Sequence, residues 1–405
     1  MPTTNGQSYD YQTLMRSVSM LFSQMRSNKP YFASLLPILT PAISNKHEWE
    51  DDNLKQASTV MAEDSALADS SFAVASVSGL EIGSIIRFTT ATGGYRSVMM
   101  KITNIVGTTL TVVRPYGGTT DVALVTGDKV ILHSTPREEN SDGEKGEGAE
   151  GTMAYNFTQI FKEKAGISDT TANTRMYAPM DLPISSVTPD VDILKMIVGQ
   201  TMPPQLARAV VVAMDKLNRQ INQASLFGAA VQRSGAEKGS MGGIFNLIGQ
   251  SIGVSGDLSK DALNDAFEAI YSKGGDSNKY AIVTGTAQAR KLSALKTEAN
   301  QTIVMKTEDN LNVGDFAQRF TADFVTGKGH ALQAQVVTDT NLPNDMLAIV
   351  DLQRIGLVPM GDRYLKIRNA TGNGQDGVSI NMTSEMSLEL RNRDDAHCLL
   401  TGLSY

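Results

Sequence analysis

Gly249-Gln250-Ser251-Ile252-Gly253 matches the G-x-S-x-G pattern of serine hydrolases. That chemistry needs a strand before the serine and a helix directly after it, so that the hydroxyl is pinched out at the turn. An apolar run at 244–248 precedes the motif, but Val254-Ser255-Gly256-Asp257 reads as a loop before any helix begins. His330 or His397 could complete a triad in the right chain order, so a hydrolase using Ser251 is one alternative reading. Gly372-Asn373-Gly374-Gln375-Asp376-Gly377 matches G-x-G-x-x-G, whose third glycine opens a helix in a dinucleotide site. Here 378–391 alternates like a strand, so the glycines read as a hairpin turn.

The four histidines, His47, His133, His330 and His397, are far apart and no pair has metal-ligand spacing. His47-Glu48 begins like a zinc helix signature, but position 51 is Asp51. Cys398 beside His397 reads as a buried thiol next to a surface imidazole. Glu138, Glu139, Asp142 and Glu144 could hold Ca²⁺, although a solvated acidic loop is the simpler reading. No catalytic, cofactor-binding or metal residue is therefore expected, and no cofactor.

The elements that would have to position such groups are spread along 405 residues, enough for two or three lobes and a large apolar core. Hydrophobic residues are 41% and charged residues 20%, ordinary for a globular chain. A lone cysteine excludes an internal disulfide framework and points to a reducing compartment. The polar, uncharged start is unlike a signal peptide, and no run of ~18 apolar residues occurs. A protein made and kept in a cytoplasm is expected, with no membrane contact. The net charge is −7, and Lys and Arg are scattered among acids with no basic stripe in the sequence. Direct nucleic-acid recognition is not expected, though a surface facing packed DNA across water is compatible with this balance.

Residues 1–45 read as an arm. An amphipathic helix is predicted between Tyr9 and Asn28, and Pro30, Pro37 and Pro41 prevent any further helix up to residue 45. With no domain of its own to enter, the arm should order only against another surface. Residues 69–134 carry short β-rich runs at 72–76, 84–90, 95–105, 110–114 and 129–133, punctuated by glycines, and predict a small all-β barrel or sandwich. Residues 137–151 are acidic and glycine-rich, an exposed loop. Pro203-Pro204 opens a long helix to Phe227, stopped at Gly228. Helix, strand and helix occupy 257–297, then come a hairpin of 319–326 with 331–338 and strands at 347–351, 355–359, 364–369 and 378–391. Helices first and strands later predict α+β.

The order of segments resembles the major capsid proteins of tailed bacteriophages, which have the HK97-like fold shared with encapsulin compartments, and most of all the SU10-like subgroup. The residues behind the likeness are Asn45-Lys46-His47-Glu48-Trp49-Glu50-Asp51-Asp52, Tyr155-Asn156-Phe157-Thr158-Gln159-Ile160-Phe161, the helix from Pro204 to Phe227, the helix–Gly-Gly–strand–helix stretch 267–296 and the closing Glu389-Leu390-Arg391-Asn392-Arg393-Asp394-Asp395-Ala396-His397. The resemblance implies an N-terminal arm (1–45), an extended loop (46–161) interrupted by the inserted β module (69–134), a peripheral domain with a spine helix (162–239), an axial domain (240–345) and a return to the peripheral domain (346–405). It implies a coat protein that assembles with itself into hexamers and pentamers around a scaffolding protein and a portal. A decoration protein is an optional outer partner on that reading, and packaged DNA would be faced without specific binding. The location implied is the virion capsid, after synthesis in the host cytoplasm. Some relatives crosslink neighbours through Lys and Asn, but no such pair is matched in this sequence. An encapsulin-type shell is a second alternative, and a surface protein using 69–134 to bind glycans a third.

Overall fold

The computed structural model describes residues 32–51, 58–137, 139, 151–174, 204–298 and 319–404. The helix expected between residues 9 and 28 and most of the acidic loop lie outside them. The chain divides into two units, Asp52–Thr152 and the remainder. Strand β1 (Lys46–Asp51) belongs to the larger one. Strands β2 (Ser58–Val60), β3 (Ser71–Ala73), β4 (Ile85–Thr89), β5 (Tyr95–Val106), β6 (Thr109–Val113) and β7 (Lys129–Ser134) form the smaller.

Alternation drives that smaller unit. In β5, Val98, Met100 and Ile102 are fully buried and meet Phe72, Ile86, Phe88 and Leu110 from neighbouring strands. The sheet runs β2-β7-β4-β5-β6-β3, all antiparallel. Its ends meet: Met61 bridges Val74, Ala62 N–H donates to Ala73 O at 2.9 Å and Ala75 N–H to Val60 O at 2.9 Å. Closure of this kind covers strand edges that would otherwise be open to pairing with other chains. The expected β module is thus a closed barrel. It begins earlier than residue 69, because β2 has only three residues and one buried side chain, too little for a periodicity to show.

The larger unit continues with β8 (Thr152–Phe157), which pairs β1, then β9 (Gln159–Ile167), α1 (Asp169–Asn173), α2 (Pro204–Phe227), α3 (Ile244–Leu247), β10 (Ser251–Gly256), α4 (Lys260–Ser272), β11 (Tyr280–Thr284) and α5 (Thr286–Glu298). Strands β12 (Arg319–Val325), β13 (Ala331–Thr338), β14 (Met346–Asp351), β15 (Ile355–Pro359), β16 (Lys366–Asn369), β17 (Val378–Leu390) and β18 (Cys398–Leu403) complete it. One six-stranded sheet has the order β10-β18-β14-β11-β13-β12. Its central strands β11 and β14 are buried on both faces, and the period of two sorts their residues. Ala281, Val283, Ala348 and Val350 enter one core, while Tyr280, Ile282, Leu347 and Ile349 enter another with Leu263, Phe267 and Ile270 of α4. Strands covered on both sides read as continuous apolar runs, as Tyr-Ala-Ile-Val does in β11.

In the second sheet β17 pairs β15 and β16 along one edge and β9 along the other. Helix α2 covers it with Leu206, Val210, Met214, Leu217 and Ile221. The helix ends where expected, and for a steric reason: a Cβ on Gly228 would lie 2.2 Å from Met241 O. Ser259 caps α4 by accepting from Ala262 N–H at 3.1 Å.

Three differences from expectation have local causes. Residues 251–256 pair with β18 in parallel instead of forming a loop, since a short Gly/Ser-rich edge strand lacks an apolar signature. Residues 346–405 do not all return to one sheet. Instead β14 and β18 pair inside the six-stranded sheet, with Tyr280 opposite Asp351 and Ala348 opposite Leu399, so only β15–β17 enter the other. Finally, residues 32–44 are not held off for a foreign surface. Phe32 is fully buried against α2, and the stretch 37–42 runs parallel to β15 with Leu39 N–H donating to Leu357 O and Leu357 N–H to Pro37 O, both at 2.8 Å.

Candidate functional site

Ser251 does not sit on an elbow. It is the exposed first residue of β10, opposite Leu399, with strand and not helix after it. The motif's first glycine has a packing reason, because a Cβ on Gly249 would lie 2.0 Å from Asp394 Oδ1. His397 cannot serve as its base. The ring is completely buried, Asp351 N–H donates to Nδ1 at 3.1 Å and Nε2–H donates to Arg391 O at 3.0 Å. Burial pushes its pKa down to about 4, so the ring is neutral. The surface imidazole expected beside Cys398 is therefore a buried one, and the thiol, also buried, is pushed up to about 12 by desolvation. His330 pairs with Asp276 at 3.2 Å on the hairpin between β12 and β13.

The glycines at 372–377 join β16 to β17, with Asn369 opposite Ile380. Gly374 has φ +76°, and a Cβ on Gly377 would meet Ile167 O at 2.3 Å, so the glycines serve a turn and a close approach. His47 Nε2 lies 2.6 Å from Glu389 Oε2. Burial works to raise Glu389, but hydrogen bonds from His47 and Arg391 outweigh it and hold the carboxyl below its usual range. Of the acidic candidates Glu138, Asp142 and Glu144 lie outside the described residues, and among the described residues no three potential ligands converge as a metal site would require.

Instead, buried polar groups gather where the chain crosses between elements. Asn156 is fully buried and uses its whole amide. Nδ2 donates to Leu388 O at 2.7 Å and Gly242 O at 3.1 Å, and Oδ1 accepts from Gly242 N–H at 2.7 Å and Phe157 N–H at 2.8 Å. Glu385 on β17 accepts from Thr158 Oγ1 and Arg233 Nη2, each at 3.1 Å, and from Arg363 Nη1. Where the chain passes from β14 to β15 and from β17 to β18, His397 ties Asp351 to Arg391. There Asn392 N–H also donates to Asp51 Oδ1 at 2.9 Å. These are fastenings between segments.

The family model for the SU10 major capsid protein matches residues 3–404, nearly the whole sequence. The chain belongs to that family. It is a major capsid protein of a tailed phage. Among solved structures, the capsid of cyanophage P-SCSP1u aligns over 99% of this chain and 96% of its own, with TM-score 0.51 and 10% identity, which shows the shared HK97-like fold. The capsid of a native GTA particle aligns over 98% of both chains with TM-score 0.48 and 11% identity. An encapsulin complex from Synechococcus elongatus PCC 7942 aligns over 62% of this chain and 76% of its own, with TM-score 0.37 and 11% identity. No curated protein matches the sequence.

In the capsid protein, the residues that sequence reasoning passes over are Asn156, Glu385 and His397 in their structural roles. Asn156 stands out in the sequence only as part of a family likeness, and His397 only as part of that likeness or of a triad. Their partners lie 86, 232 and 46 residues away, so spacing along the chain held no signal.

The His397 geometry carries a pH prediction. Its folded pKa lies below the 6.5 of a free histidine, so as pH falls from 6.5 toward 4 the unfolded chain takes up a proton that the folded one refuses. Stability from this group is complete above that window and is lost through it at about 1.4 kcal/mol per pH unit. Burial raises Asp51 and Asp351, which act with the opposite sign. The difference between wild type and His397→Gln isolates the histidine: the variant should be less stable at pH 7, with the gap narrowing by pH 5 in chemical denaturation. A gap independent of pH would contradict the assignment.

Proposed function

We propose that copies of this capsid protein associate into hexamers and pentamers that close an icosahedral or prolate head around double-stranded DNA. The six-stranded sheet with α4 and α5 is assigned as the axial domain, and the second sheet with its spine helix α2 as the peripheral domain. The β1–β8 pair is assigned to the extended loop, with the barrel as its insertion. A scaffolding protein and a portal are the expected partners, a decoration protein an optional one, and synthesis takes place in the host cytoplasm. The family match over residues 3–404 carries this reading, since it spans the arm, the loop and both sheets together.

On this reading the protein is not an enzyme, and the Ser251 hydrolase is set aside because a strand follows the serine. Replacing Ser251 by Ala should leave particle yield unchanged when the protein is expressed with its scaffold and particles are counted after gradient sedimentation. Turnover of a generic ester by wild type, abolished in Ser251→Ala, would contradict the non-enzyme assignment.

A further inference from the structure

The glycine-rich connection between β16 and β17 carries an Asn–Gly pair, Asn373-Gly374, the one such pair among the described residues. Both ends of the connection are fastened. Ala370 N–H donates to Ser379 O at 2.8 Å, Thr371 N–H to Asn369 Oδ1 at 2.9 Å and Ser379 N–H to Thr371 Oγ1 at 3.0 Å. Between these ties, Gln375 N–H donates to Gly372 O at 3.0 Å and Gly372 N–H to Gln375 Oε1 at 3.1 Å. They close a turn with Asn373 and Gly374 at its centre. Gly374, at φ +76°, takes the third position, where a type II turn favours glycine.

The tip of this turn is chemically open. Residues 372–376 are all exposed, and among the described residues neither the Asn373 amide nor Gly374 N–H has a hydrogen-bond partner. A Cβ built on Gly374 would meet nothing within 4 Å. Asparagine is a thermolabile residue type, and its side-chain carbonyl carbon can be attacked by the backbone nitrogen of the next residue. Glycine hinders that attack least, because it has no Cβ beside the nitrogen and turns freely as the ring closes. Asp376-Gly377 is the acid counterpart of the pair, but it is closed to this chemistry. Gly377 is buried, a Cβ on it would lie 2.3 Å from Ile167 O, and the Asp376 carboxyl is hydrogen-bonded to Asp169.

We propose that Asn373 is a site of spontaneous modification, where the folded protein converts with age to aspartate and isoaspartate. Gly374 N gives up its proton to solvent and attacks Asn373 Cγ. The new C–N bond closes a cyclic imide, and the Cγ–Nδ2 bond breaks as Nδ2 takes up a proton and leaves as ammonia. Water then opens the imide. Attack at Cγ breaks the bond just formed and gives aspartate. Attack at the main-chain carbonyl carbon breaks the original peptide bond and gives isoaspartate, whose backbone runs through the former side chain. Either product adds one negative charge to a connection that already holds the Asp169–Asp376 contact. The reaction belongs to the single subunit and does not depend on the capsid reading; on that reading, the added charge of a shell grows with its age.

The test is peptide mapping of the folded, full-length protein after storage at neutral and at mildly alkaline pH in water enriched in heavy oxygen. Cleavage after Arg368 and Arg391 releases residues 369–391, which also hold Asn369 and Asn381 as internal controls. Heavy oxygen should enter at position 373 before either control, and sooner at the higher pH. Part of the product should resist a protease that cuts before aspartate but not before isoaspartate. Asn373→Gln should abolish labelling at that position, and Gly374→Ala should leave most chains unconverted over the same storage. An unlabelled peptide, or labelling of Asn369 or Asn381 as fast as Asn373, would overturn the proposal. So would equal conversion in Gly374→Ala, or conversion only after the chain is unfolded in urea.

Discussion

A chain cut after residue 45 should lose about 5 kcal/mol or more of subunit stability relative to a chain that starts at Tyr31. The first cut removes Phe32, a completely buried ring in the core under α2; losing such a side chain costs roughly 3–5 kcal/mol. It also removes the backbone bonds of Leu39 and Ala42 to Leu357 and Pro359 and their return bonds from Leu357 and Gly361, roughly 1 kcal/mol each. Ala33 N–H, which donates to Asn222 Oδ1 at 2.8 Å, goes with them, and Asn222 in turn holds Asp339 at 2.7 Å. Thermal melting of the unassembled protein separates the cases. Equal melting of the two truncations would mean that residues 32–44 do not belong to their own subunit's fold. The comparison also separates folding from assembly, because a defect in shell closure without a change in melting belongs to contacts between copies.

The second large effect is expected at Asn156. Replacement by Ala strands Gly242 N–H, Gly242 O and Leu388 O, all previously bound to the amide in a buried place. Each buried group left without a partner costs about 1–3 kcal/mol, so a loss of about 4 kcal/mol is expected in chemical denaturation. Asn156→Asp should be no better. A carboxylate keeps the acceptors for Phe157 and Gly242 N–H but turns an oxygen toward two carbonyls that had received donors. A loss below about 1 kcal/mol for Asn156→Ala would show that the node between β8, β17 and the loop at Gly242 relaxes without penalty.

How far these features are legible in the sequence depends on the range of the interactions that make them. Helix α2 is legible to the residue, because its apolar stripe, opening prolines and closing glycine are all local. The same holds for β11, α4 with Ser259 as its cap, and the hairpin of β12 with β13. Strands β8, β9 and β10 are not legible, since their pairing partners lie far along the chain and their own patterns are mixed. The arm misleads for a related reason. Pro30, Pro37 and Pro41 announce a segment without a helix, but nothing local shows that the edge of β15 is open to receive it. The second sheet is the extreme case: Lys162 and Lys366 are 204 residues apart in sequence and flank Thr383 of β17 only through register. The motifs that looked chemical failed in the opposite direction. Gly249, Gly374 and Gly377 are visible as glycines, while the turn and close contacts that require them are not.

Negative-stain electron microscopy of the protein expressed together with its scaffolding protein tests the central claim most directly. The account predicts closed shells, with tubes or hexamer sheets as the alternative products of the same subunit contacts. A small, stable oligomer that never closes in the presence of scaffold would contradict it.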